Sequence, residues 1–522
     1  MSSTQNILFI MADQLRADHL GAAGHPYLKT ATLDALAKRG VTFSRAFVNS
    51  GICGPSRMSF YTGRYPSSHG ATWNRVPLSI GEITLGEYLK QANLDLVLAG
   101  KTHVNSDLLN LKRLGMEGDS ELTHLLKSGY FRELDRYDGH HTPGDESGYP
   151  AYLRKHGYVS DDPWTDYVIA AQAPNGEIVS GWHMRNVHLP ARVAEQHSET
   201  AYMTDQALGF MKQMGQKPWV LHLSYVKPHW PYMAPAPYHN MYSYDQCLPV
   251  NRSETELQNA HPVVAAYRQH EEGQNFSRDE CIRLVRPAYQ GLIHQLDDHL
   301  GRLFDYMEDA GLMKNTMIVF TSDHGDLMGD HWLGEKELFY DAVQKVPCIV
   351  YDPDPAADIT RGTVDDRFVE SVDIVPTFLD ALNVPGAPER IEGRSLLPLL
   401  RSQDKNIPWR HAVFSELDYS YRQARVLLGK QIQQCRAYSM RTDRWRYVYW
   451  LDEPEQLFDL QADPNELNDL GRDESHATLR EEFRAQLLDW LARRKHRVTM
   501  TDDAVDRATN GHKRAGVFYG QW

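Results

Sequence analysis

Cysteine is scarce in this chain. Five residues among 522 (Cys53, Cys247, Cys281, Cys348 and Cys435) are widely spaced, odd in number and never paired at metal-type spacing. That excludes a disulfide framework and a cysteine-rich zinc site, and it fits a reducing, cytoplasmic setting. Long apolar runs are also missing. No stretch approaches the ~18 apolar residues of a membrane span, and Asn6-Ile7-Leu8-Phe9-Ile10-Met11-Ala12 is too short for a signal-peptide core, lacks a basic flank and runs straight into Asp13. Positive charge is in deficit: 55 Lys and Arg against 69 Asp and Glu give a net charge of -14. A nucleic-acid surface needs a basic face that displaces counterions, so none is expected, and any anionic ligand must be held by local cations. Repeats and low-complexity tracts are absent, which removes solenoid and linker readings.

What is present suits a large globular protein. Hydrophobic residues make up 42% and charged residues 24% of the chain, enough for a sizeable core. The order of elements predicts an α/β fold: a large α/β domain over 1–404, a smaller α+β domain over 405–495, and a tail over 496–522. Residues 6–12 are a continuous apolar run followed by Asp13-Gln14, the pattern of a central parallel strand whose carboxyl end carries polar groups. Three further runs, 94–99, 219–225 and 316–321, end in Gly100-Lys101-Thr102-His103, Lys227-Pro228-His229 and Ser322-Asp323-His324. Ligands of open α/β sheets gather at such ends. Helices are expected over 32–39, closed by Gly40, over 83–92, 197–213 and 372–382, and over 281–310, where Leu292, Leu296, Leu300 and Leu303 share one face. The stretch 105–195 has weak periodicity and reads as loops over the sheet edge. Near the end, 437–450 reads as a β-ribbon and 477–493 as a final helix. The tail closes on Val517-Phe518-Tyr519 and Trp522 and is expected to be the intersubunit arm of a homo-oligomer.

The chain is organised around Cys53-Gly54-Pro55-Ser56-Arg57, with Thr62-Gly63-Arg64 behind it. Pro55 suits the first turn of a helix, so Cys53 lies at a helix N-terminus, where unsatisfied N–H groups and the helix dipole favour an anion. Two carboxylates, Asp13 and Asp323, with Gln14 and His324, are plausible ligands for one divalent cation. Lys101, Lys227, Lys336 and Arg57 then stand ready to neutralise a bound oxyanion.

These residues resemble a known family. Cys53-Gly54-Pro55-Ser56-Arg57 with Thr62-Gly63 looks like the first signature of the formylglycine-dependent sulfatases, and Gly100-Lys101-Thr102-His103 resembles the second. Leu457-Phe458-Asp459-Leu460 with Asp463-Pro464-Asn465-Glu466 matches the family's C-terminal pattern. The phosphonate monoester hydrolases of the same alkaline phosphatase superfamily are similar from Asn6 to about Arg494. The resemblance implies an alkaline-phosphatase/sulfatase-like sandwich on a large, mostly parallel sheet, with a smaller C-terminal α+β domain. It implies that a formylglycine-generating enzyme oxidises Cys53 to Cα-formylglycine, whose hydrate serves as nucleophile and metal ligand. Asp13, Gln14, Asp323 and His324 match the metal-ligand positions, the metal being Ca²⁺ or Mn²⁺. Arg57 and Lys336 match the residues that bridge nucleophile and oxyanion. Lys101, His103 and His229 match those that steady the anion and protonate the leaving group, while Asn74 and Lys227 are expected to touch substrate.

Departures from the pattern bear on the substrate. Gly51 and Tyr61 stand where the first signature usually has other residues, and in the second only Ala99-Gly100-Lys101 and His103 carry the match. Phosphonate monoester hydrolases have Tyr and Thr where this chain has Lys101 and His103, and the Lys-x-His pair is similar to the sulfatases. The expectation is therefore a sulfuric ester hydrolase. The alternative is a phosphonate monoester or phosphodiester hydrolase on the same site, and the non-enzymatic alternative an unmodified binder of sulfated or phosphorylated ligands.

Overall fold

The structure, a computed structural model, describes residues 4–139, 148–520 and 522. Residues 140–147 of the stretch read as loops lie outside the described residues. Among the described residues eight strands form one sheet: β1 (Asn6–Asp13), β2 (Val41–Phe43), β3 (Leu96–Gly100), β4 (Phe131–Arg136), β5 (Val220–Pro228), β6 (Thr316–Ser322), β7 (Cys348–Tyr351) and β8 (Thr363–Asp365). Their spatial order is β8-β2-β7-β6-β1-β5-β3-β4. Only β7 runs against its neighbours; the other pairings are parallel.

β1 lies between β6 and β5, with Ile7 level with Met317 and Val220. Its uninterrupted hydrophobicity follows from burial on both faces. Leu8, Ile10 and Ala12 enter a core shared with α3 (Glu199–Met214) and α4 (Asp279–Asp309). Ile7, Phe9 and Met11 enter the opposite core, with α2 (Cys53–Thr62) and α5 (Ile374–Leu382). This alternation is the period-two geometry of a strand between two helical layers. α1 (Ala31–Arg39) takes a cap from another helix, because the Asp297 carboxylate of α4 accepts the N–H groups of Thr32 (2.9 Å) and Leu33 (2.8 Å).

One expectation needs correcting. The stretch 105–195 is not only loops: β4 extends the main sheet at its edge, paired in parallel with β3. Its sequence, FRELDR, is exposed or half-buried after Phe131, and an edge strand open to water on one side lacks the apolar run that marks a central one.

Beyond residue 405 an antiparallel sheet forms from β9 (Val413–Asp418), β10 (Arg436–Arg441), β11 (Trp445–Trp450) and β12 (Gln456–Asp459). One face packs Met440, Tyr447 and Leu457 on Phe483, Leu487 and Trp490 of α6 (Ala477–Ala492). The other packs Ala437, Val448 and Trp450 against Tyr267, Phe339 and Tyr340. Ion pairs from Arg441 and Arg446 to Asp341 tie this sheet to the segment that follows Lys336, and Arg446 also pairs with Glu466 just past β12 (2.5 Å). No helix is long and apolar enough to cross a membrane among the described residues.

Gly100 closes β3 with φ +110°, and a Cβ there would sit 1.9 Å from the Ser224 carbonyl oxygen. Gly100→Ala therefore requires the β3–β5 pair to part and displaces Lys101, the next residue. A loss of about 2–4 kcal/mol is expected, read as a lower denaturant midpoint, together with loss of hydrolytic activity.

Candidate active site

The carboxyl ends of β1 and β6 meet at one point. The register of β1 against β5 shifts between Ala12 and Asp13, and such a bulge re-aims the side chain it carries. Ser322, at the end of β6, shares its hydroxyl between the carbonyls of Ala12 (2.9 Å) and His324 (2.8 Å) and accepts the Leu15 N–H (2.8 Å). The turn that presents Asp323 and His324 is thereby locked to the end of β1. Gln14 follows with φ 67°, and its N–H donates to Asp323 Oδ1 (3.1 Å).

Cys53 is the first residue of α2, whose ten residues are all buried. Ile52, before it, offers no side-chain cap. Asn74 supplies one instead, accepting the Gly54 N–H on Oδ1 at 2.7 Å, and Ser56 Oγ donates to the Asp323 carbonyl at 2.6 Å. The Cys53 sulfur lies 3.1 Å from His324 Nε2 and 4.0 Å from Asp13 Oδ1. Donor atoms of Asp13, Cys53, Asp323 and His324 all fall within 4.8 Å of one another, and all four residues are buried.

Arg57 is fully buried one turn into α2 and fastens the two carboxylates: Nε donates to Asp323 Oδ2 (2.7 Å) and Nη2 to Asp13 Oδ2 (3.3 Å). Nη1 donates to the Lys101 carbonyl and to Ser224 Oγ, both at 2.8 Å. The Lys101 ammonium reaches Asp13 Oδ2 at 2.5 Å. Burial by itself raises the pKa of Asp13, but the cations Lys101, Arg57 and Lys336 outweigh it and hold the carboxyl well below its usual range. Lys336 donates to Gln14 Oε1 (3.0 Å) and His229 Nε2 (2.9 Å). Burial works against its ammonium, yet the Cys53 sulfur, Glu335, Asp13 and Asp323 keep its pKa raised.

The imidazoles are fixed by their second nitrogens. His324 Nδ1 donates to the Gly325 carbonyl (2.9 Å) and His229 Nδ1 to that of Trp230 (2.7 Å), so each presents the Nε2 lone pair inward. Burial first, then Lys336, lowers the pKa of His229; burial also lowers that of His324. His103 stands at φ 56° with its N–H on Asp138 Oδ1 (3.2 Å), and burial and then Lys101 lower its pKa.

A cleft of about 900 Å³ opens over this floor, lined among others by Cys53, Asn74, Lys101, His103, His229 and Lys336. Lys227 is the exception among the expected contacts. Its ammonium turns away from the cleft, donating to the carbonyls of Pro231 (2.8 Å) and His229 (3.3 Å) and pairing with buried Glu199 (3.4 Å). It braces the His229 loop, because an ammonium beside two free carbonyls and a carboxylate is satisfied there. Gln14 abuts the four-donor cluster. Its Nε2 donates to Asp326 (2.5 Å), which turns Oε1 toward Lys336. Asp326, Asp138 and Glu335 escaped the sequence reading; Asp326 lies two residues past His324 in the polar run after β6, the only signal that pointed to it.

The donor set fits a divalent cation: the carboxylates of Asp13 and Asp323, the first held ionised by its cationic neighbours, and an imidazole whose inward nitrogen is unprotonated. Three cations (Arg57, Lys101, Lys336) already exceed the two carboxylates, so with a metal bound the floor is strongly positive and suited to an oxyanion.

A family profile described as "Sulfatase" matches residues 5–384. A second, "N-sulphoglucosamine sulphohydrolase, C-terminal", matches 329–493. The multifunctional alkaline phosphatase superfamily protein PehA of Trinickia caryophylli is 33% identical over 93% of this chain and 95% of its own. An arylsulfatase of Clostridium perfringens is 27% identical over 90% and 91%. Among solved structures, the phosphonate monoester hydrolase SpPMH from Silicibacter pomeroyi superposes with a TM-score of 0.83 at 28% identity, covering 96% of this chain and 98% of that one.

Asp323→Asn keeps the shape of the side chain but removes one cluster charge and strips Arg57 Nε of its anionic partner. The variant is expected to hold at least tenfold less divalent cation by elemental analysis after desalting. It should also be destabilised by about 3 kcal/mol, the usual cost of breaking a buried ion pair from one side.

Proposed function

The chain belongs to the sulfatase family of hydrolases, and from that premise we propose that it cleaves sulfate monoesters at Cys53. The observation that carries the reading is the position of Cys53, first in a buried helix, inside a four-donor cluster ringed by surplus cations. Asp13, Gln14, Asp323 and His324 would hold a divalent cation, Ca²⁺ or Mn²⁺, which would supply Lewis acidity there, and Cys53, once converted by a formylglycine-generating enzyme to Cα-formylglycine, would supply the attacking oxygen.

The chain's own residues do the rest. Arg57, held on four sides, keeps the carboxylates of Asp13 and Asp323 in place. Lys101 and Lys336 face the non-bridging oxygens of the ester and take up the charge that grows on them. His229 is neutral in the free protein, because burial and Lys336 disfavour its imidazolium. A bound anion offsets Lys336, lets His229 take a proton on Nε2, and so provides the acid for the departing alcohol oxygen. His103, with Nδ1 buried and unpaired, steadies the anion from the other wall, and Asn74 sets the helix end beneath it.

A second reading, phosphonate monoester or phosphodiester hydrolysis, is favoured by the close superposition on SpPMH. Lys101 and His103 favour sulfate. Purified protein assayed on an aryl sulfate and an aryl phosphonate monoester decides: kcat/KM is expected to be at least tenfold higher on the sulfate, and the reverse order reverses the assignment. Intact mass is expected to be about 18 Da below that of the cysteine form, as sulfur and two hydrogens give way to oxygen. Cys53→Ala should lose at least about a thousandfold in kcat.

A further inference from the structure

The wall of the cleft carries an acid that the chemistry above does not use. Glu335 lines the cleft beside Lys336 and half-buried, yet its carboxylate has no hydrogen-bond or ion-pair partner among the described residues. The other acids of the wall are satisfied. Asp138 pairs with Arg136 (2.7 Å) and accepts the N–H groups of Thr102 and His103, and Glu337 accepts from Tyr267 (2.6 Å) and pairs with Arg422 (3.2 Å).

The backbone holds Glu335 where it is at some cost. Its φ is 59° and that of Glu337 is 88°, a region most side chains avoid. The bend is pinned at both ends. The Leu327 N–H donates to the Glu335 carbonyl (2.6 Å) and the Glu337 N–H to that of Gly51 (3.1 Å). At Gly334 a Cβ would meet the Phe276 ring at 2.2 Å, so this residue too is tightly set. Burial, only partly offset by Lys336, pushes the Glu335 carboxyl up to about 7. An unpaired, half-buried acid on the wall of the cleft stands ready to accept from a donor that arrives with the ligand.

The neighbours narrow what that donor is. Two aromatic pairs flank the cleft: Trp73 stacked on Tyr421 (5.5 Å, 10°) and Trp182 against Trp230 (5.2 Å, 61°). Trp182 and Tyr421 are half-exposed, offering flat apolar faces to a ring. Five cations (Arg75, Lys101, Arg136, Lys336, Arg422) line the cleft against the three acids Asp138, Glu335 and Glu337. Lys101, Arg136 and Arg422 are already paired with Asp13, Asp138 and Glu337, which leaves Arg75 and Lys336 against Glu335, a balance that disfavours a cationic alcohol and favours a neutral donor, a hydroxyl.

We infer that Glu335 is a specificity residue: it accepts a hydrogen bond from a ring hydroxyl beside the ester oxygen, with the ring seated on the aromatic walls. The substrate class is thus a sulfate ester of a vicinally hydroxylated ring, either an arene diol or a sugar. This inference rests on the sulfatase reading for the ester but not for the ring.

The test uses the full-length, converted enzyme and its Glu335→Ala and Glu335→Gln variants. The substrates are phenyl sulfate, 2-hydroxyphenyl sulfate and a hexose 2-sulfate. A hydrogen bond to a carboxylate lost from the site predicts that the kcat/KM ratio of 2-hydroxyphenyl to phenyl sulfate falls about 10- to 100-fold in both variants. The hexose ester, if it is the better substrate and falls likewise, identifies the ring as a sugar; otherwise it is an arene. An equal fall on both aryl esters, or no fall, overturns the inference. Binding keeps it testable apart from turnover. Quenching of tryptophan fluorescence by catechol and phenol should show tighter binding of catechol to the parent, and the preference should vanish in the variants. Parent protein that hydrolyses no ester yet shows this preference refutes the sulfatase reading and upholds Glu335; no catechol preference in the parent refutes Glu335.

Discussion

The whole architecture depends on keeping a group of full charges out of water. Asp13, Arg57 and Asp323 have no exposed surface, and Lys101 and Lys336 almost none. Separately each would carry a large desolvation penalty; together they are tolerable only with near-complete hydrogen bonding. Arg57 shows how this is met. Its guanidinium donates to two carboxylates, a carbonyl and a hydroxyl, contributed by β1, β5 and the residues just past β6 and β3. No single element could supply them. The parallel sheet brings four strand ends to one edge, and α2 is buried on all sides because its one arginine must stand among them.

That demand is met in part by backbone held in unfavourable conformations around the site. Gln14, His103, Glu335 and Glu337 all have positive φ without being glycine, each at a cost of roughly 1–3 kcal/mol. In every case the bend is held by contacts from another element: Asp323 for Gln14, Asp138 for His103, Gly51 and Leu327 for the 335–337 segment. The cores on both faces of the sheet supply the surplus stability that lets these conformations persist.

This also marks what could be read from the chain beforehand. The central strands were legible because burial on two faces leaves an unbroken apolar run, and the Cys53 pentapeptide and strand-end polar clusters identified the floor of the site. β4 was not legible, since an edge strand that is half-wet carries no such run. Lys227 was misplaced as a substrate contact because a lysine after a strand looks the same whether its ammonium faces a ligand or, as here, Glu199 and two carbonyls. Glu335 went unseen for the opposite reason. Acid beside lysine is commonplace in sequence; what sets Glu335 apart is a carboxylate left without a partner, and that shows only once the fold has paired the neighbouring acids Asp138 and Glu337.

Floor and wall of the cleft are therefore built by different means. The floor is set by strand ends and a helix start, rigid because the charges there cannot be left unpaired. The wall is assembled across the two sheets: Tyr421 and Arg422, from the segment after β9, meet Trp73 and Glu337 of the larger unit. Arg422 also pairs with Glu272 and contacts His270 Nδ1 at 3.1 Å, so the position of Tyr421 is fixed by charge pairing between the two parts of the chain. Chemistry at sulfur or phosphorus then depends on the buried cluster, and choice of the alcohol portion on how the smaller sheet docks. Substitutions in the smaller sheet can retune the wall without disturbing the charges beneath it, because among the described residues no side-chain hydrogen bond of Asp13, Arg57, Asp323, His324 or Lys336 comes from the smaller sheet.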